Sequence, residues 1–531
     1  MSQELDEIRS TEAVKPSLNP YIAIIILTIA TFMEVLDANI VNVSLPRMAA
    51  DLNSTPTETS WVIGSYLIAN AMILPISGWL AIYFGRKNYY QICVVIFTAS
   101  SFLCGISTNL GMLIFFRIIQ GLSGSGLATS EQAMIADLFP PEKLGRAFSI
   151  YAFGLVLAPV IGPTLGGWIT DALSWHWIFF INVPIGFVSY FLVSELIHES
   201  ERSKQSRLEL LKTNPQIDWI GIILVAIGFG AFELVLEEGN KQDWLESNFI
   251  VFTIIIAIFS LLLGITWEYY QDKPAVDISM FKNRNFAISC ILLFTVRFVM
   301  FGSTFLVPYF AQILLGYNAT NAGLLLLPGA VTLVIMMPIV GFLTDKFDAR
   351  KIIFFGLIIF AFSLWNLTSM NLEIGFNDLA KFRMLQIFGL SFLSATMMAV
   401  GFYYVPPEKN DSASSMITLC SNLGASLGVA ISTMLITRYT QFYINNLGYH
   451  TTQYNQNYTE TVKNLSQALQ HQGFTATQAL SKAKNIVWET LVQQASMLAI
   501  LDVFKIFILA IILIIPVVFF LKPKRKNNQG H

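Results

Sequence analysis

An all-α polytopic membrane protein is the fold class the sequence predicts, and three observations predict it. Of 531 residues, 54% are hydrophobic and 12% are charged. A chain this apolar cannot cover itself with polar surface, so a soluble multidomain enzyme and a disordered chain are both excluded. The apolar residues are gathered into runs long enough to cross a bilayer, which takes about 20 residues each. The runs recur in phase with an internal repeat. The net charge of -2 offers no basic field for nucleic acid.

Fourteen such runs follow one another, near 20–45, 59–81, 89–108, 110–136, 147–170, 176–198, 218–237, 249–270, 286–308, 320–343, 351–370, 379–404, 413–437 and 497–521. Gly, Pro, Asn and charged residues punctuate the short connections. The acidic segment before the first run (Glu4, Asp6, Glu7, Glu12), and the two carboxylates inside it, set that run apart from a cleaved signal peptide. With both termini placed in the cytoplasm, 21 Lys and Arg fall on the cytoplasmic side and 7 on the other. This bias predicts that orientation. Cys93, Cys104, Cys290 and Cys420 lie in apolar runs without a CxxC pair, so neither a disulfide framework nor a zinc site is expected. The five histidines lack metal-ligand spacing, and no Gly-Lys dipeptide supplies an ATP-binding loop.

The repeat is short but in register. Arg117-Ile118-Ile119-Gln120 is echoed by Arg383-Met384-Leu385-Gln386, and Pro140-Pro141-Glu142-Lys143 by Pro406-Pro407-Glu408-Lys409, both at an offset of 266. Gly78-Trp79-Leu80 and Gly341-Phe342-Leu343 match more loosely at 263. The organisation this implies begins with a cytoplasmic tail (1–19) and a six-helix bundle (20–198). A linker with two inserted helices (199–285) follows. A second six-helix bundle (286–521) contains a long loop on the outer side (438–496), and a basic cytoplasmic tail (522–531) ends the chain. Parallel six-span halves are the plan of alternating-access transporters, with the site near the midplane.

The motifs resemble those of the major facilitator superfamily, and within it the fourteen-helix drug:proton antiporters of the EmrB/QacA type. Leu36-Asp37-Ala38-Asn39-Ile40-Val41-Asn42-Val43-Ser44-Leu45-Pro46 is similar to that family's first-helix motif, and Arg117-Ile118-Ile119-Gln120-Gly121 to its fourth. Ala158-Pro159-Val160-Ile161-Gly162-Pro163-Thr164-Leu165-Gly166-Gly167 is similar to its fifth-helix antiporter motif, and Trp177-Ile178-Phe179-Phe180-Ile181-Asn182-Val183-Pro184 also matches. The loop Gly78-Trp79-Leu80-Ala81-Ile82-Tyr83-Phe84-Gly85-Arg86-Lys87 departs from the family pattern. Ile82 stands where the family has an acid and Tyr83 where it has a base, which puts the usual charge network at that gate in question.

The resemblance implies a proton-driven exporter of amphipathic compounds in a Gram-negative inner membrane. It needs no cofactor beyond the proton gradient, and works with a periplasmic adaptor and an outer-membrane channel. An exporter of one endogenous molecule, such as a fatty acid or siderophore, is the alternative on the same scaffold. A membrane enzyme or a channel would share the hydropathy but not the duplicated motifs.

Such a pump needs a titratable group inside the membrane that reaches each side in turn. Asp37 is the candidate, with Glu34 three residues earlier as a coupled neighbour. At about 1.5 Å per residue, Asp37 lies about 12 Å and Arg117 about 10 Å from the outer surface, so the two share a layer. Arg117 keeps its charge and would tune the acid, or clamp two helices. Gly154, Ala158, Gly162 and Gly166 form a small-residue stripe, with Gly167 beside it and Pro159 and Pro163 permitting a bend. That stripe is close packing and, by resemblance, a gate against proton leak. Gly424 and Gly428 echo it weakly.

Gly78, Gly85, Arg86 and Lys87 form the cytoplasmic loop motif. Arg297 and Gln120 are candidates for substrate contact or an ion pair. Glu131 is expected to end the membrane run of the fourth helix, and Glu195, Glu233 and Glu268 to be interfacial. Asp502 and Lys505 are expected to pair. Residues 459–488 read as two short amphipathic helices split by Gly473, with Val462, Leu465, Leu469, Phe474, Ala479 and Ile486 inward.

Overall fold

The computed structural model describes residues 19–140, 142–198, 218–271, 274–449, 451–452 and 454–522, together with Lys204 and Arg207. All but Asn19 of the expected N-terminal tail, most of the 199–217 linker, Pro141 of the repeated tetrapeptide and all but Lys522 of the basic tail lie outside them. The described chain is helical, and no strand occurs among the described residues.

The helices are α1 Pro20–Asp51, α2 Pro56–Phe84, α3 Arg86–Gly105, α4 Leu110–Leu138, α5 Leu144–Ala172, α6 Trp177–Leu196, α7 Trp219–Glu238 and α8 Asn248–Tyr270. They continue as α9 Arg284–Ile313, α10 Asn321–Lys346, α11 Ala349–Leu367, α12 Phe376–Phe402, α13 Asn410–Gly448, α14 Gln456–His471 and α15 Ala476–Val518. Twelve are long and apolar enough to cross a membrane, or thirteen with the bent α5. The remaining predicted span is α3. It is a 20-residue helix whose first turns carry Arg86, Lys87, Asn88 and Gln91, and these lower its apolarity.

Local chemistry sets the ends. Asn19 caps α1, accepting from the Tyr21 N–H at 3.0 Å, with Pro20 in the first turn where its missing N–H costs nothing. Asn109 caps α4 in the same way at 2.9 Å. Pro75 interrupts α2 with a 3₁₀ turn, Leu74–Ile76. Gly85, at φ +86°, makes the corner between α2 and α3 that a residue with a Cβ would adopt only under strain.

The repeat is visible in the packing. The pairs α1/α5, α2/α4, α3/α4 and α3/α6 of the first half recur as α9/α13, α10/α12, α11/α12 and α11/α15 in the second. Lys143 donates its N–H to the Pro140 carbonyl, and Lys409 to that of Pro406, each at 2.9 Å. The two halves meet through α5 against α10 and α13 against α2, while the inserted α7 rests on α2 and touches α13. Small residues allow these crossings. A Cβ at Gly78 would lie 2.7 Å from the Asp411 carbonyl, and one at Gly341 would lie 3.0 Å from Ser149 Oγ.

The long loop differs from its expected form. Gly473, at φ +97°, does separate two amphipathic helices, but the second is not a short one. It is the start of α15, which runs 43 residues without a break into the membrane. At about 1.5 Å per residue this is about 64 Å of helix, twice the hydrocarbon thickness of about 30 Å. The reason is local: no Pro or Gly falls between Ala476 and the last apolar run. Val462, Leu469, Ala479 and Ala483 are buried between α14 and α15, with Leu465, Phe474 and Ile486 packed around them. The six predicted inward positions thus share one small core. This end of the molecule is the hairpin end, and the end bearing Arg86, Lys143 and Lys409 is the basic end. There Lys409 Nζ reaches Asp277 Oδ2 at 2.6 Å. Burial raises the Asp277 carboxyl, but bonds from Lys409 and Ser279 outweigh it and hold Asp277 below the ordinary carboxylate range.

Candidate functional site

The first half holds a buried polar layer toward the hairpin end. Asp37 on α1 and Arg117 on α4 are both fully buried, with Arg117 Nη1 2.5 Å from Asp37 Oδ2. Asn182 on α6 donates to Asp37 Oδ1 at 2.7 Å and lies 2.9 Å from Ser101 Oγ on α3. Arg117 also donates from Nε to the Val62 carbonyl (3.0 Å) and from Nη1 to Gln120 Oε1 (2.8 Å), and its guanidinium lies 4.4 Å from the centre of the Tyr66 ring. The arginine therefore fixes α1, α2 and α4 in one layer. Its planar fork serves acceptors in three directions, which an ammonium cannot do. Gln120 is buried and directed at Arg117.

One turn along α1, Glu34 is partly buried. Its Oε1 is 3.3 Å from Tyr66 Oη and 3.5 Å from Asn70 Nδ2, and its Oε2 has no hydrogen-bond partner among the described residues. Further toward the basic end, Glu131 on α4 is fully buried. It lies seven residues before the end of that helix, covered by its neighbours. Its oxygens face Thr28 Oγ1, at 2.5 Å, and Thr31 Oγ1. Glu233 and Glu268 are likewise buried, and both lie near the ends of their helices. Glu233 accepts from Ser426 on α13 at 2.7 Å, and Glu268 from the Val276 N–H at 3.3 Å. Lys505 pairs with Asp502 at 2.8 Å, and Tyr443 adds a bond at 2.5 Å.

Helix α5 presents its small residues to α1. Gly162 and Gly166 lie against Asn39 and Ile40, where a Cβ would stand 3.1 Å from Asn39 Cβ and 2.9 Å from the Ile40 carbonyl. Gly154 faces Thr28, and Ala158 is buried. Gly167 is looser, its nearest neighbour being Val43 at 3.8 Å. The helix bends by 42° between Leu144–Pro159 and Thr164–Ala172, with exposed Pro159 at the break. The side chain of Pro163 lies outside the described residues. Gly424 and Gly428 of α13 meet the carbonyls of Phe294 and Phe298 on α9, repeating the α1/α5 contact in the second half.

The loop motif is wired across the halves. Arg86 donates from Nε and Nη2 to both oxygens of Asp411 on α13 (2.7 and 2.6 Å) and from Nη1 to Asp137 at the end of α4. Asn410 Nδ2 adds a 2.8 Å bond to Asp137, and Gln132 reaches Thr418 at 3.1 Å. Lys87 donates to the Ser194 carbonyl at 2.7 Å. With Ile82 in place of an acid, the loop motif's Arg86 is paired with Asp411 from the other half, a contact that no local spacing reveals. These inter-half bonds all lie toward the basic end, so the molecule is latched shut there.

The second half carries no copy of the acid. Ser303 stands 266 residues beyond Asp37 and accepts from Gln386 at 2.8 Å. Buried Arg383 contacts Gln386 and Thr304 and has no ion pair among the described residues. Arg297 lies on α9 within electrostatic reach of Tyr151 on α5 and makes no hydrogen bond or ion pair among the described residues. Two six-helix halves with a carboxylate layer in one of them and a latch at one end form a transporter architecture.

The family profile described as Major Facilitator Superfamily matches residues 27–331 and 289–446, more than half of the chain. The chain belongs to the major facilitator superfamily. Within this superfamily it is 36% identical over 410 residues to the multidrug export protein EmrB of Haemophilus influenzae, covering 77% of this chain and 79% of that one. It is 30% identical over 500 residues to the probable multidrug resistance protein EmrY of Escherichia coli, covering 94% of each. It is 31% identical over 504 residues to the fatty acid resistance protein FarB of Neisseria gonorrhoeae, covering 95% of this chain and 96% of that one. The proton:xylose symporter XylE superposes with a TM-score of 0.55 over 91% of this chain and 94% of that one, at 13% identity, which is a likeness of fold.

Proposed function

We propose that this major facilitator protein is a proton-driven exporter of amphipathic compounds. In this reading the basic end faces the cytoplasm and the hairpin end the periplasm of a Gram-negative inner membrane. The observation that carries the reading is the buried Asp37–Arg117–Asn182 layer in the first half alone. An ion pair so placed is stable only while Asp37 is ionised. A proton arriving from the hairpin side neutralises Asp37 and cancels its charge-assisted bond to Arg117. The helices α1, α4 and α6 are then free to shift against α5, whose glycines let α1 slide at close range. The basic-end latch through Arg86, Asp137 and Asp411 opens, and substrate enters as the proton leaves. No cofactor takes part, and the proton gradient is the energy source. Glu34, beside Asp37, sets how tightly the proton is held.

The EmrB likeness and the projecting α14/α15 hairpin support a partnership with a periplasmic adaptor and an outer-membrane channel. The likeness to FarB, a protein named for fatty acid resistance, supports a fatty acid as the single compound of the alternative. Susceptibility of a pump-deficient Gram-negative host expressing the chain tests both, against a panel of cationic, neutral and anionic drugs and fatty acids. Broad resistance that vanishes with a protonophore is the expected result. Resistance to one compound alone would select the alternative, and resistance indifferent to the proton gradient would overturn the coupling.

A further inference from the structure

The mechanism above leaves one buried carboxylate unused. Glu131 follows Arg117 by 14 positions on α4, so it lies about 21 Å further toward the basic end at about 1.5 Å per residue. It is fully buried, and no cation pairs with it among the described residues. Thr28 and Thr31 face it from α1, Tyr90 stands near on α3 and Tyr151 on α5, and Glu34 lies along α1.

Counting hydrogens assigns its protonation. Thr28 Oγ1 lies 2.8 Å from the Ile24 carbonyl, which only accepts, and 2.5 Å from Glu131 Oε1. The hydroxyl has one hydrogen. With an ionised Glu131, one of these two contacts would set acceptor against acceptor. Both are satisfied when Glu131 carries a hydrogen on Oε1 and donates it to Thr28, while Thr28 donates to Ile24 and Thr31 donates to Oε2. A bare carboxylate here, without a cation, would also bear the full cost of burial in the membrane.

Resting on the proton-coupling reading, we propose that Glu131 is a second proton-carrying carboxylate of the transport cycle. It is loaded with a proton while the basic end is closed and gives it up to water there when the halves part. Two features place it for this role. Thr28, Thr31, Glu34 and Asp37 form one i,i+3 row of α1, so Glu34 stands between the outer acid and Glu131. Its sequence neighbour Gln132 makes the 3.1 Å bond to Thr418 across the halves and a 3.0 Å bond to Tyr151 Oη. Parting the halves breaks the first of these bonds and wets the carboxyl beside it. The balance is simple. A proton taken from the hairpin side by Asp37 or Glu34 passes to an ionised Glu131, leaving the donor ionised and Glu131 neutral. Glu131 then releases that proton to the basic-side water and returns to its starting charge.

The test uses the full chain in proteoliposomes with a fluorescent cationic dye as probe. Glu131→Gln keeps the shape but carries no proton. Counterflow, which needs no net proton movement, should stay close to the wild-type rate, while accumulation driven by a pH gradient should fall by about tenfold or more. Glu131→Asp should recover part of that loss. In infrared difference spectra between wild type and Glu131→Gln, a protonated-carboxyl component should appear that the wild type alone carries.

Gradient-driven accumulation by Glu131→Gln equal to wild type would overturn the inference. So would Gln and Asp variants that lose counterflow equally, since that marks a structural role. Asp37→Asn run in parallel separates the readings. If it uncouples while Glu131→Gln does not, only the role of Glu131 falls; if the wild type ignores the pH gradient, the coupling falls and Glu131 with it. If Glu131→Gln fails to insert, Thr28→Val removes the acceptor of the acid hydrogen. An unchanged pH profile of export in that variant would likewise overturn the inference.

Discussion

Asp37 accepts hydrogen bonds from α4 and α6 at once, so its charge state governs how three helices sit together. Asp37→Asn preserves size and one acceptor oxygen but cannot carry a proton. Export driven by a pH gradient in everted vesicles is expected to fall by about two orders of magnitude, with substrate binding by the purified protein retained. Full gradient-driven export by this variant would remove Asp37 from the coupling. Arg117→Lys is the complementary change. Lysine can reach Asp37 but not the Val62 carbonyl and Gln120 as well, and each buried acceptor left alone costs about 1–3 kcal/mol. A lower unfolding temperature together with lost transport is expected; wild-type rates would show that a point charge suffices. The Asp37–Arg117 meeting was legible in the sequence because depth depends only on the rise per residue. Asn182, Tyr66 and Asp411 were not, since which side chain meets another across helices depends on helix rotation and crossing. The burial of Glu131 was not legible for a related reason: nearness to a span's end says nothing of the neighbouring helices that cover it.

Helix α5 shows what an element's pattern can and cannot announce. Four small residues at fourfold spacing told where another helix would come close, and α1 does so at Gly162 and Gly166. The pattern could not say which helix. Gly166→Val would force side-chain atoms into the Ile40 backbone, which already lies 2.9 Å from a Cβ placed there. An overpacking cost of about 1–3 kcal/mol is expected, read as a lower unfolding temperature and slower counterflow. Gly167→Ala, whose new methyl meets only Val43 at 3.8 Å, should leave both unchanged. Equal effects at the two positions would mean that the stripe does not carry the α1 contact. Helix α15 teaches the opposite lesson. Its apolar run marks the later part of the helix, but its first 20 residues are amphipathic, and hydropathy ends a span where the helix itself continues. Helicity follows from the missing breakers, not from apolarity.

At the scale of the whole molecule, the halves are latched at one end and carry a helical projection at the other. Both features bear on how export through two membranes would work. Residues 451–488 contain α14 and the first turns of α15, and so both sides of the small core built on Val462, Leu469, Ala479 and Ala483. Removing them together leaves no orphaned apolar face. A flexible linker of about ten Gly/Ser residues, with a root-mean-square reach of about 17 Å, can join the remaining ends. The transport core should be spared, because Asp37, Arg117 and the latch at Arg86 and Asp411 lie on other helices. Counterflow in proteoliposomes is therefore expected at the wild-type rate. In intact cells resistance should fall, since drug released into the periplasm re-enters, and crosslinking between the hairpin and an adaptor should be lost in parallel. Loss of both transport and resistance would assign the hairpin to the outer gate instead. Undiminished resistance in cells would mean that the projection receives no adaptor, and the case for a two-membrane envelope would then rest on the likeness to EmrB alone.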